Sequence, residues 1–391
     1  MTQLLKRKIR IAHVITRMDR GGAPDIVRIL FEKLDPERFD ATLFFGATKD
    51  PSKKTEEFLK KIGRRAINVP NLIRNINPFY DCAAFFCLLR AFKKEKFDII
   101  HAHTAKAGVL ARIAGRWSGV RLIVYSPHGN DFYGYFGRVG SWLVVAAEKF
   151  AARFCDKIHA LTELEKKELI DFKICAPEKI EVIYSGVELD ALRVFQYTVQ
   201  HMKDEQSGSQ KRFTVGMVGR LEAVKGPQYF IEAAKCVLEK LKNVKFLVVG
   251  DGSMRKGLES LVRALGISEH VVFTGWAEDV GCVLYTLDIL VLPSLNEAVG
   301  RSVLEAQAVG VPVVATKVGG VSEVVKDGVT GILVPARDAH ALAGAILLLL
   351  NDDSKREGMS EAACGWVDEK FSDGLMAKHF EELYERMVQN A

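Results

Sequence analysis

Two glutamates, Glu297 and Glu305, lie eight residues apart in the run Pro293-Ser-Leu-Asn-Glu-Ala-Val-Gly-Arg-Ser-Val-Leu-Glu305. Gly300 sits between them. Glu305 falls among Val303, Leu304, Ala306 and Ala308. A carboxylate in such surroundings is costly unless it is paired or hydrogen-bonded, and vicinal sugar hydroxyls would satisfy it. The spacing places Glu297 in a loop and Glu305 about two turns into the following helix. A solvated helix face is the plainer alternative. Upstream, Gly216-Met-Val-Gly219-Arg220-Leu-Glu222-Ala-Val-Lys225-Gly226 runs from a strand into a turn carrying two fixed cations. Arg220 and Lys225 converging at a strand end suit a diphosphate. The phosphate-loop spacing G-x-x-x-x-G-K-[ST] is absent, which disfavours ATPase chemistry.

Other turns carry weaker signals. Gly21 and Gly22 precede a helical pattern near Asp25, where backbone N–H groups could face an anion; a turn needing positive φ explains them equally well. His101-Ala-His103, followed by Lys106, and His128-Gly129 end two further strands. Histidine is the usual proton-transfer group near neutral pH. His128 and His103 are expected at a site, whereas His101 is expected to point to the opposite face in a structural role. No H-x3-H or paired-carboxylate spacing marks a metal site. Gly250-Asp-Gly252 after a strand is either a nucleotide loop or a tight turn. Gly319-Gly320 marks another strand-to-helix turn.

The elements that must position these residues alternate β and α. Strands are expected at Lys8–Ile15, Ala41–Gly46, Arg65–Val69, Asp98–His103, Leu122–Ser126, Lys157–Leu161 and Glu181–Tyr184. A second set follows at Phe213–Val218, Lys245–Val249, Val271–Thr274, Ile289–Leu292, Pro312–Ala315 and Gly331–Val334. Several are continuously apolar, as strands buried on both faces are. Helical spacing between them argues for an α/β architecture with parallel sheets. The polar segment Gln200–Arg212, with Ser-Gly-Ser, reads as a linker. The expected organisation is a domain at 1–199, a linker at 200–212, a second domain at 213–371 and a terminal helix at 372–391.

Composition narrows the class. With 391 residues the chain has room for about two domains. Hydrophobic residues at 48% and charged residues at 27% exclude disorder and coiled coil as the main architecture. Apolar runs such as Cys82–Leu89 and Ala341–Leu350 are too short to span a bilayer, and no signal peptide is expected from the basic, strand-like start. Seven cysteines without a C-x-x-C pair fit a reducing compartment and no zinc site. The net charge of +6 is uneven: residues 1–200 hold 34 Lys and Arg against 23 Asp and Glu, and the rest 21 against 26. The basic half suits a phosphorylated or anionic partner.

Taken together, Glu297-x7-Glu305, Gly310-Val-Pro312-Val-Val-Ala-Thr316, Gly319-Gly320, Gly331-Ile-Leu-Val, Gly219-Arg220-Leu with Lys225-Gly226, Gly21-Gly22 and His128-Gly129 resemble glycosyltransferase family 4 over essentially the whole chain. The resemblance implies a GT-B fold of two facing Rossmann-like domains with an interdomain cleft. It implies a nucleotide-sugar donor in the second domain, an acceptor in the first, and transfer with retention of anomeric configuration. Under it, Arg220 and Lys225 would stabilise the departing diphosphate in place of a metal ion, so no cofactor and no metal are expected. Glu305 would bind ribose hydroxyls, and Glu297 the donor sugar. The backbone around Val299, Gly300 and Arg301 would orient that sugar, with Gly21, Gly22, Gly219, Gly250 and Gly252 lining the donor. His128 would stand beside the reacting sugar. Val299 stands where the family often has Phe, and Pro24 follows Gly21-Gly22-Ala where it often has Glu.

The segment from His103 to Gly129 is similar to members that build capsule, O-antigen or lipid-linked oligosaccharides. A sugar or polyprenyl-diphosphate-sugar acceptor is therefore expected, touched by His103, Lys106 and Asp131, and no nucleic-acid partner. The aromatic stretch Phe79–Lys96 is either a crossover helix packed on the sheet or a contact to an anionic inner-membrane surface; Asp131–Trp142 is a second such candidate. The expected location is cytoplasmic and peripheral at that membrane. Two other classes stay open: an epimerase or hydrolase of the same architecture, and a non-catalytic membrane scaffold.

Overall fold

A computed structural model describes residues 7–129, 138–194 and 212–391. Asp131 and all but the last residue of Gln200–Arg212 lie outside the described residues. The chain divides into two units, residues 1–186 with 373–391, and residues 187–372.

The first unit holds a parallel sheet of seven strands: β1 (Ile9–Ile15), β2 (Phe39–Phe45), β3 (Ala66–Asn68), β4 (Ile99–His103), β5 (Leu122–Ser126), β6 (Lys157–Ala160) and β7 (Ile180–Val182). Their order is β3-β2-β1-β4-β5-β6-β7. Alternate residues of β1 serve opposite faces. Ala12 and Val14 join Leu88, Phe92 and Ile100 in one core, whereas Ile15 joins Val27, Phe31 and Phe58 in another. Burial on both sides is why these strands read as unbroken apolar runs. The C-terminal helix Asp373–Gln389 belongs to this unit. Phe380 and Tyr384 are fully buried, and Arg38 ties the helix down through Glu381 and Glu385.

The second unit holds β8 (Phe213–Val218), β9 (Val244–Val249), β10 (Val271–Gly275), β11 (Ile289–Leu292), β12 (Val313–Thr316) and β13 (Gly331–Val334). They form a six-stranded sheet ordered β10-β9-β8-β11-β12-β13, with only parallel pairs. Residues 187–194, expected in the first domain, fall in this unit instead. Val187 N donates to Phe371 O, and Arg193 bonds Ala308 O and Asp368.

Each sheet reverses its winding once, between β1 and β4 in the first unit and between β8 and β11 in the second. In open parallel sheets such points leave a crevice beyond the carboxyl ends of the strands, where ligands bind.

Candidate functional site

In the second unit the residues singled out by their chemistry collect at the β8–β11 reversal. Gly226, with φ of +60°, ends the turn after β8, and a Cβ there would stand 2.2 Å from Pro293 O. Leu295 N donates to Val224 O at 2.7 Å. This close approach brings Lys225 to Glu297: Lys225 Nζ lies 2.8 and 2.5 Å from the two carboxylate oxygens, and Ser294 Oγ donates to Oε2 at 3.0 Å. The loop after β12 closes the third side. Gly320 N donates to Glu297 O at 3.1 Å, and at Gly319 (φ +48°) a Cβ would sit 1.8 Å from that oxygen. Glu297 is thus held through its carboxylate and its carbonyl by three loops. Its negative charge is already matched by a cation.

Gly300, with φ of +82°, caps the helix Arg301–Ala308, with Val299 buried just before it. The first turn, at the positive end of the helix dipole, can orient a polar ligand. Glu305 lies one turn in rather than two. Arg301 sits 3.4 Å from it as its i,i+4 partner, with both side chains largely buried. Arg220 is exposed at the end of β8, and Gly219 has open space where a Cβ would be. Gly250 and Gly252 have a packing reason. A Cβ on Gly250 would lie 2.0 Å from Gly219 O, and one on Gly252 2.6 Å from Leu221 O. The two glycines let the loop after β9 lie against the loop that carries Arg220.

In the first unit the β1–β4 reversal is bridged by Thr16 and Thr104, whose hydroxyls are 2.8 Å apart. Thr104 (φ +65°) and His128 (φ +61°) occupy the left-handed region, which is strained for side chains of their kind. His103 is wholly buried: its Nε2 lies 3.0 Å from His13 Nδ1 and its Nδ1 2.9 Å from His128 Nε2. The expected acceptor contact of His103 is therefore replaced by contact with His128. His101 does not point away from His103. Residues two apart on a strand share a face, and the two rings are 4.0 Å apart. His101 is nonetheless structural, bonded to Tyr384 OH at 2.6 Å and Ser126 Oγ at 2.7 Å, with Ser126 passing on to His159. Burial holds His101 and His103 well below the usual imidazole range, and pushes His13 down to about 3 and His159 to about 4.

Among the described residues one group of three side chains has metal-ligand chemistry, His13, His101 and His103, with ligand atoms within 4.8 Å of one another. Both nitrogens of His101 and of His103 are already engaged in hydrogen bonds, so an ion would have to break them inside a dry core. Lys106 is tied to the start of the helix Pro78–Glu95, against Asp81 and Asn75 O. Gly21 caps the helix Gly22–Lys33 with open space beside it.

Three positioning residues escaped the sequence reading. His13 lies inside an apolar strand and reads as core. Ser294 shows no pattern. Glu165 left a signal: Thr162-x-x-Glu165 is a capping box, with Thr162 Oγ1 accepting from Glu165 N. The Glu165 carboxylate accepts from Leu161 N at 2.6 Å and Gly129 N at 3.2 Å, which anchors the His128–Gly129 turn.

Comparison with known proteins agrees with this architecture. The family model "Glycosyltransferase Family 4" matches residues 20–191, and "Glycosyl transferases group 1" matches residues 200–366. The chain is 31% identical over 387 residues to a UDP-Gal:alpha-D-GlcNAc-diphosphoundecaprenol alpha-1,3-galactosyltransferase of Escherichia coli, covering 98% of both chains. It is 27% identical to the capsular polysaccharide biosynthesis glycosyltransferase CapM of Staphylococcus aureus, over 85% of this chain and 88% of that one. Among solved structures, HepE of Anabaena in complex with UDP and glucose superposes with a TM-score of 0.82 at 22% identity, covering 97% of this chain and all of the other. At that identity the likeness establishes the fold alone, which is GT-B. The chain belongs to glycosyltransferase family 4 and is a glycosyltransferase.

Proposed function

We propose that this glycosyltransferase moves a hexosyl group, galactosyl as first candidate, from a uridine diphosphate sugar to a polyprenyl-diphosphate-linked sugar in bacterial surface-polysaccharide synthesis, with retention of configuration and without a metal ion. The observation that carries the reading is the meeting of Lys225, Ser294 and Glu297 at the β8–β11 reversal. It occurs in a chain that aligns end to end with a lipid-linked galactosyltransferase. Arg220 and Lys225 take the diphosphate as it leaves. Two fixed cations supply there the charge stabilisation that a divalent ion would otherwise give. Glu305 receives the ribose hydroxyls, and Glu297 holds the sugar together with backbone N–H groups at Val299–Arg301. His128 serves the reacting sugar, while Lys106 and the segment containing Asp131 serve the acceptor.

The acceptor's lipid sets where the enzyme works. No helix among the described residues is long and apolar enough to cross a membrane. The helix Pro78–Glu95 is a crossover packed on the sheet through Ala84, Leu88 and Phe92. Its outer side leaves Phe79 87% and Phe86 63% exposed, beside exposed Arg90, Lys93 and Lys94. Trp117 on the neighbouring helix Ala105–Ser118 and Trp142 on Arg138–Ala151 are also exposed. Aromatic and basic side chains on one layer suit an anionic membrane surface, and we place the enzyme peripherally on the cytoplasmic leaflet.

A thermal-shift series with UDP-, GDP-, ADP- and dTDP-sugars, with and without EDTA, tests the donor half. The reading predicts a shift with a UDP-sugar that EDTA leaves unchanged. A shift seen only with added divalent metal, or only with another nucleotide, contradicts it.

A further inference from the structure

The ion pair Lys225–Glu297 is exclusive. Among the described residues, Lys225 meets no other carboxylate and Glu297 no other cation within ion-pair distance. Lys225 Nζ lies against both oxygens of the carboxylate, and Ser294 Oγ donates to one of them. Whatever takes the ammonium away therefore leaves Glu297 with its charge uncompensated.

The backbones on either side are fixed, whereas the two side chains can turn. Lys225 N donates to Glu222 O at 2.9 Å, and Leu295 N to Val224 O at 2.7 Å. Gly320 N holds Glu297 O. The flexible four-carbon stem of Lys225 lets its ammonium swing without moving these loops.

The state of the pair decides how well each residue binds a ligand. While Lys225 neutralises it, Glu297 accepts a sugar hydroxyl about as a neutral group would. Released, it forms charge-assisted bonds roughly twice as strong. A nucleoside diphosphate carries more negative charge than one carboxylate, so it draws the ammonium to itself. Arg220, exposed at the end of β8, adds to that pull. The reverse also holds, because hydroxyls that donate to Glu297 loosen its grip on Lys225.

We propose that Lys225 and Glu297 form a specificity device, in which the sugar-binding carboxylate stays closed until a diphosphate takes the lysine. The site then favours a ligand that carries diphosphate and hexose together over either part alone. This deepens, and rests on, the reading that Lys225 takes the diphosphate and Glu297 the donor sugar. UDP and free hexose bind with positive coupling, each tightening the other by the same factor.

The test is a two-ligand titration of the full-length chain with UDP and free galactose. Calorimetry reads UDP affinity with and without galactose. Saturation-transfer NMR reads galactose affinity with and without saturating UDP. Expected in the wild type is a coupling of about 10-fold, equal from both sides. Lys225→Met should bind galactose without UDP as tightly as the wild type does with it, and UDP should add nothing. Glu297→Gln should bind UDP alone about 10-fold more tightly than the wild type. Direct contact between the two ligands predicts instead a coupling that survives in Lys225→Met, and that outcome overturns the proposal. So does galactose binding in the wild type that UDP leaves unchanged, or galactose that stays unbound at saturating UDP. If Lys225→Met does not fold, Glu297→Gln decides, and a UDP affinity no higher than wild type overturns the device. The reading itself fails separately, through a wild type that binds no UDP and turns over no UDP-galactose.

Discussion

Lys225 Nζ and Glu297 Oε2 stand 2.5 Å apart, joining the turn after β8 to the loop after β11 across the reversal point of the second sheet. The Lys225 and Glu297 side chains are 22% and 11% exposed, so the pair is shielded but reachable. If the diphosphate binds there as proposed, it competes with Glu297 for the same ammonium. Lys225→Ala should therefore weaken UDP binding about 10- to 100-fold, the worth of a charged hydrogen bond. Glu297→Gln should bind UDP as tightly as the wild type or more tightly, yet turn over slowly. Isothermal titration with UDP beside steady-state kinetics separates the two. UDP binding lost in both variants would contradict the assignment of the cation to the phosphate and the carboxylate to the sugar.

The turn at Gly319 sets the position of Glu297 through its backbone. Gly319→Ala would drive a Cβ to 1.8 Å from Glu297 O at a φ of +48°, so the loop must move. We expect a loss of about 1–3 kcal/mol in stability together with loss of turnover. Gly344→Ala, on a helix with open space around it, should do neither. Urea unfolding and turnover of the two variants check this.

Much of this arrangement is legible in the sequence. All thirteen expected strands are present, displaced by at most two residues at their ends, because parallel strands buried on both faces leave short apolar runs between helical periods. The Glu297, Lys225 and glycine signals are legible for a related reason: charges and glycines at strand ends break that pattern. The histidine rows are not. His13 and His103 are 90 positions apart and meet only through the β1–β4 pairing, which puts His13 beside His101. Periodicity within a strand reports a face, not which neighbouring strand completes it. The role of Gly250 and Gly252 was hidden in the same way, since their close neighbours are backbone atoms of a loop after another strand.

Burial of neutral imidazoles makes the first unit sensitive to acid. His13 at about 3 and His159 at about 4 lie below the ordinary value of 6.5. The unfolded chain therefore binds more protons between those limits. Their stabilisation is complete above the unfolded pKa and drains away as pH falls through the folded values. Each histidine adds a slope of up to about 1.4 kcal/mol per pH unit within that window. Urea unfolding of His159→Asn over the same range should show a pH dependence shallower by about one proton. A slope equal to wild type would contradict the burial account.

Arg112 and Glu148 form a buried ion pair at 2.8 Å, with Tyr125 OH donating to the same carboxylate and the guanidinium 3.8 Å from the Tyr125 ring centre. Removing one partner strands the other charge. Glu148→Ala should cost about 3–5 kcal/mol, whereas Arg112→Met with Glu148→Leu should recover most of that loss. Chemical denaturation of the single and paired variants measures it.

The exposed aromatics of the helix Pro78–Glu95 give a further test of membrane contact. Phe79→Ser with Phe86→Ser should reduce sedimentation with anionic vesicles by about tenfold or more, given roughly 1.5–3 kcal/mol for each buried ring. Turnover on a short, water-soluble acceptor should be unaffected. Unchanged vesicle binding would remove this helix from the membrane surface.

Metal-free transfer with retention to a lipid-linked sugar leaves its mark on the product. The most direct measurement is the anomeric configuration of the product formed from a UDP-α-hexose and a polyprenyl-diphosphate amino sugar in the presence of EDTA. The account predicts an α-linked disaccharide-lipid at a rate that EDTA does not change. A β-linked product, or no product until a divalent metal is restored, would contradict it.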